Sequence, residues 1–117
     1  MKNFSKCNLN FAGREELHDK LSLTGAEISF NELPAGSNVP FVHSHKQNEE
    51  IYIILNGSGL AVIDNQTLNL AKGDCLRICP SAKRQFFAGK DSSISYLCIQ
   101  VKENSLDSFT MTDAIVE

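Results

Sequence analysis

From Gly25 to Val101 the chain is built of short apolar runs separated by turn residues, with no amphipathic pattern of helical length among them. Residues 26–33 alternate, with Ile28 and Phe30 set against Glu27, Ser29 and Asn31, and stop at Pro34-Ala35-Gly36. Residues 39–45 and 50–55 read as two further strands, and Asn56-Gly57-Ser58-Gly59 as a turn before the apolar residues 60–63. Asp64-Asn65 suits a tight hairpin, since both residues tolerate a positive φ. Residues 67–71, 75–79, 84–88 and 93–101 complete the series, bounded by Lys72-Gly73-Asp74, Pro80-Ser81 and Gly89-Lys90-Asp91. About seven to nine short strands with turns roughly every eight to twelve residues predict an all-β sandwich or barrel.

The N-terminal part differs. R-E-E-L-H-D-K-L, residues 14–21, is rich in helix formers and carries Leu17 and Leu21 on one face, so a short amphipathic helix is expected there. Thr24-Gly25 ends it. His18 falls on its polar side, as a solvated residue. A chain of 117 residues makes one domain: an N-terminal strand and helix segment over 1–24, a barrel over 25–103 and a polar tail over 104–117.

Composition narrows the function classes. Apolar residues make up 42% and charged residues 21%, which excludes disorder and collagen-like classes. A net charge of -3, with the eleven Lys and Arg scattered, leaves no basic footprint for nucleic acid. The first ten residues lack the apolar segment of a signal peptide, and no run is long enough to span a bilayer. A cytoplasmic protein with no membrane partner is expected. Cys7, Cys75, Cys79 and Cys98 include no C-x-x-C pair. Cys75, Cys79 and Cys98 lie in strand-like runs, where a free cysteine acts as a small buried hydrophobe.

The chemistry is concentrated in H-S-H-K-Q-N-E-E, residues 43–50. On an extended strand His43 and His45 project to one side. A carboxylate from the following strand would join them, giving two imidazoles and one carboxylate, a shell for a divalent transition metal with open positions. The segment resembles the first signature of the cupin family: a glycine, a spacer, H-x-H, a short gap, a glutamate, six residues and a glycine. Gly36, His43, His45, Glu50 and Gly57 fill it, with one extra residue after Gly36. The six residues 51–56 select Glu50 over Glu49. The resemblance implies a single-domain jelly-roll β-barrel, with one Zn, Fe, Mn or Ni ion per chain on His43, His45 and Glu50.

The family's second signature, a glycine, five residues, a P-x-G turn, two residues and a histidine, resembles residues 73–84 only loosely. Counting from Gly73 puts Cys79 at the proline, Ser81 at the turn glycine and Arg84 at the histidine; Ala88 stands for a later asparagine. Anchoring on Pro80 would instead select Gln85. Arginine stays protonated and cannot replace a neutral nitrogen donor. At about 6 Å and an effective dielectric near 20, a guanidinium and a divalent ion repel by about 5 kcal/mol. Three arrangements follow. A metal sits on three ligands with Arg84 turned aside, or an anionic ligand bridges the metal and Arg84. In the third, Arg84 pairs with Glu50 and no metal is held.

Tyr52 and Ile54 share the parity of Glu50, and Phe86 that of Arg84, so a pocket lined by Tyr52, Phe86 and Arg84, with Gln47 from the loop, suits a small polar or anionic metabolite. The cupin resemblance allows a metal-dependent oxygenase or isomerase; the alternative is a non-catalytic module for a sugar or organic acid. Cupins of this size also resemble proteins that pair, so a homodimer is expected. Residues 4–11 and the strand at 93–101 are its candidate contact surfaces.

Overall fold

The computed structural model describes residues 3–117. Seven strands and two single helical turns follow in the order β1 (Arg14–Glu16), α1 (His18–Leu21), β2 (Glu27–Leu33), β3 (Asn48–Ile63), β4 (Gln66–Ala71), β5 (Cys75–Ile78), β6 (Arg84–Ala88), β7 (Ile94–Lys102) and α2 (Thr110–Asp113). The mostly β composition agrees with the period-2 reading. β6 starts and stops where the sequence pattern places it, and β2, β4, β5 and β7 differ by a residue at one or both ends.

β3 organises the sheet. Its first half pairs with β7 on one side and β5 on the other; its second half pairs with β4 and β6. One sheet therefore runs β1-β2-β7-β3-β5 and the other β4-β3-β6, and the 16-residue β3 belongs to both. The sheet is not closed by hydrogen bonds among the described residues, so the barrel expected from the sequence is instead two ladders joined along a shared strand.

The segment Asn56-Gly57-Ser58-Gly59 is not a turn. It is the point at which β3 bends from one sheet to the other, marked by a register shift between Ile54 and Asn56. Both glycines are needed there. Gly57 has φ +77°, and a Cβ on it would lie 1.8 Å from the Ser93 carbonyl oxygen; one on Gly59 would lie 2.2 Å from that of Phe87. The tight hairpin expected at Asp64-Asn65 is present, with φ 47° and 67° and Ile63 paired to Gln66.

The amphipathic helix expected over residues 14–23 is not formed. Residues 14–16 pair with β2 instead, Arg14 opposite Asn31 and Glu16 opposite Ser29, leaving one helical turn at His18–Leu21. Two local features oppose a longer helix. Phe11 and Gly13 have positive φ, and the Glu15 carboxylate accepts the backbone N–H groups of Asn10 and Ala12. Residues 39–45 do not make a continuous strand either. Val39 and His43 donate to Phe86 and Arg84 carbonyls, but Pro40 between them has no N–H to give. The tail forms only the turn α2, with Leu106, Phe109, Met111, Ile115 and Val116 exposed.

The core lies between the two ladders. Tyr52, Ile54, Ala61, Leu70, Ile78, Phe86, Ile94, Tyr96 and Cys98 form one buried cluster, and Tyr52, Phe86 and Tyr96 pack ring to ring at 4.3–5.6 Å. β7 sits between β2 and β3, so both of its edges are paired. Cys75 is exposed, also contrary to expectation; Cys79 is half-buried and Cys98 buried.

Candidate metal centre and its cavity

Strand alternation on β3 turns Glu50, Tyr52 and Ile54 inward together, as their parity predicts. The segment ahead of β3 is anchored to β6 by paired backbone bonds between His43 and Arg84, and His45 N–H donates to the Pro80 carbonyl. These bonds carry both imidazoles over Glu50. The two rings meet edge to face at 5.2 Å, and Phe41 packs on His43 at 5.7 Å.

His43, His45 and Glu50 present one nitrogen or oxygen each, all within 4.8 Å of one another. His45 Nε2 lies 3.1 Å from Glu50 Oε2, and His43 Nε2 lies 3.8 Å from Oε1. Neither approach is a hydrogen bond. The first has the distance without the alignment, so His45 Nε2 is buried with no hydrogen-bond partner, as is His43 Nδ1. A buried imidazole nitrogen facing a carboxylate without bonding it is a position that a cation would satisfy. The three residues fit a divalent metal by donor type and by convergence.

Glu50 holds four neighbours on two oxygens. Oε1 accepts the Tyr52 hydroxyl at 2.6 Å and Arg84 Nη1 at 3.0 Å. Oε2 accepts the Cys98 thiol at 3.3 Å and faces His45. Burial pushes the Glu50 carboxyl up, but the Tyr52 and Cys98 hydrogen bonds, with His45 and Arg84, outweigh it and hold the group below the usual carboxylate range. For His43, burial dominates and lowers its basicity; Glu50 opposes this, and Arg84 and His45 add to it. Burial and the Glu50 charge push the Cys98 thiol up to about 12, so it stays a protonated donor. Tyr52 is likewise raised by burial and stays protonated.

Arg84 is completely buried. Nη1 reaches Glu50, Nη2 donates to the Cys79 carbonyl at 2.7 Å and Nε has no partner. Arg84, the residue the count from Gly73 selects, thus reaches Glu50, whereas Gln85 donates to the Val39 carbonyl. The ion pair and the donor cluster are compatible, because Arg84 uses Oε1 while Oε2 faces His45.

Beside this cluster opens a cavity of about 560 Å³. Its wall includes His43, His45, Glu50, Tyr52 and Phe86, as the sequence reading expects. Arg84 stands behind Glu50, off the wall. Gln47 is exposed and does not reach the cavity. Arg14, Asn31, Tyr96, Cys98 and Gln100 line it as well, none of which the sequence reading places there. The period-2 spacing of Tyr96, Cys98 and Gln100 on β7 carries a signal for one shared face, but the strand they oppose is a property of the pairing alone. His18 is solvent-facing and bonded to Asp19, as expected.

The Cupin_2 family, described as the cupin domain, matches residues 29–100. The chain belongs to the cupin family. A cupin protein of Bacteroides fragilis, known from a crystal structure, is 58% identical; the match covers 100% of this chain and 99% of that one, with a TM-score of 0.98. An uncharacterized protein of Methanocaldococcus jannaschii is 34% identical over 87 residues, 73% of this cupin and 68% of that protein. A predicted oxalate decarboxylase of Thermotoga maritima has the same fold at 23% identity and TM-score 0.60, over 64% of each chain.

Proposed function

We propose that this cupin binds one divalent transition metal through His43, His45 and Glu50, and that a small polar or anionic metabolite enters the adjoining cavity to meet it. The observation that carries the reading is His45 Nε2, buried, unbonded and 3.1 Å from Glu50 Oε2, with His43 converging on the same carboxylate. Such a metal would act as a Lewis acid or, if redox-active, bind dioxygen. The chain's own residues set the conditions. Arg84 and Tyr52 keep Glu50 ionised and fix its orientation, and Tyr52, Phe86 and Tyr96 give the ligand an apolar wall. Cys98 donates its thiol to Glu50 Oε2 and helps to keep that carboxylate ionised. The reading covers oxygenase and isomerase types alike.

Elemental analysis of untagged protein tests this. About one equivalent of zinc, iron, manganese or nickel per chain is expected, and it should be lost in the His43→Ala, His45→Ala double variant. Retention of metal by that variant, or none in the wild type after reconstitution, would overturn it.

The Arg84–Glu50 ion pair at 3.0 Å favours a second reading, a non-catalytic module for a sugar or organic acid without a metal. Under it, the histidines are polar groups of the pocket, and metabolite binding survives dialysis against a chelator. We further propose that the protein works in the cytoplasm as a homodimer.

A further inference from the structure

Arg14 is the one arginine on the cavity wall among the described residues. Its side chain is half-exposed, whereas that of Glu50 is buried, so it stands at the solvent side of the cavity. It is also aimed. Nη1 donates to Asn31 Oδ1 at 2.7 Å and makes a longer contact of 3.5 Å with Ser29 Oγ, and Asn31 is itself buried and bonded to Ser29 at 2.9 Å. Nε donates to Glu16 at 3.2 Å, an exposed pair that solvent screens and that holds the cation only weakly. Nη2 makes no hydrogen bond with a described residue.

The other charges around the cavity leave this guanidinium dominant. Glu50 is offset by Arg84 at 3.0 Å. Glu32 also lines the cavity but is exposed, and it stands on β2 with parity opposite to Asn31, so its carboxylate leaves by the other face. With Nε and Nη1 engaged, Nη2 is left to make a charge-assisted hydrogen bond to a carboxylate. About 560 Å³ is the size of a metabolite site.

We infer that the ligand of this cavity is a small organic carboxylate and that Arg14 selects it, taking the carboxylate on Nη2 while the rest of the ligand reaches toward His43, His45 and Glu50. The inference rests on the metabolite-binding reading of the cavity and does not require the metal.

The test titrates the full chain, by calorimetry and thermal shift, with glycolate, oxalate, malonate, succinate and benzoate, each beside its neutral amide, and separately with Zn²⁺ alone. At least one carboxylate should bind and its amide should not. Arg14→Gln should weaken that carboxylate by about tenfold or more, the scale of one charge-assisted hydrogen bond, and Arg14→Lys by less. Zn²⁺ affinity should fall in neither variant, since neither touches a proposed ligand and Arg14→Gln removes a positive charge that acts on His43. Equal carboxylate affinity in Arg14→Gln, equal binding of the amides, or no binding by any acid would overturn the inference. Zn²⁺ failing to bind while carboxylate binding still depends on Arg14 would defeat the metal reading and leave this one standing.

Discussion

Glu50 and Arg84 are two buried charges that each depend on the other. Removing one leaves its partner ionised and out of reach of water, a loss of about 3–5 kcal/mol. Glu50→Gln should therefore lower urea-unfolding stability by that order, and Glu50→Gln with Arg84→Met should cost less than Glu50→Gln alone. Acid should expose the same cluster in chelator-dialysed protein. His43 is held below its ordinary value of 6.5, mainly by burial, so below that pH the unfolded chain takes up the proton first and stability falls. Glu50 is held below 4.5 and adds a second loss at lower pH, as the unfolded carboxyl protonates before the folded one. Stability measured against pH should decline below about 6.5, and His43→Gln should remove the upper part of that decline. At this scale the sequence was partly legible. The cupin-like signature singles out Glu50 through its gap to Gly57, and parity turns Tyr52 and Phe86 inward. The Cys98 hydrogen bond was not legible, because its position opposite Tyr52 depends on strand pairing, and neither was Arg14, because a helix-forming composition was overridden by the ladder with β2.

Among the elements, β3 shows how local signals mislead. Asn56 to Gly59 has turn composition, yet the strand only bends there and continues, since both glycines serve the close approach of neighbouring backbone. Gly57→Ala should destabilise by more than the about 1–3 kcal/mol of a strained backbone conformation, because its Cβ would also overlap Ser93. Gly13→Ala, with φ +61° and nothing nearby, should stay within that range. Urea midpoints of the two variants decide it. The segment carrying His43 and His45 is the converse case. Alternation places both imidazoles on one side, and they do share it, although Pro40 prevents a continuous strand.

For the whole molecule, the apolar side chains of the tail are the outlying feature. Met111 is 89% exposed and Val116 92%. Deleting residues 105–117 should leave the thermal midpoint within about 2 °C, since no tail residue is buried in the monomer. Light scattering of the full and shortened chains would test the proposed homodimer and whether the tail contributes to it. The all-β class and most strand limits were readable from periodicity; the sharing of one strand between two ladders was not, because pairing order leaves no local trace. That sharing also bears on how the protein opens. Neither ladder can separate without breaking continuity with the other, so amide protons on both halves of β3 should exchange with solvent only through global unfolding, at one common free energy. The two imidazoles, held by short side bridges instead, would then belong to a part of the molecule able to loosen on its own.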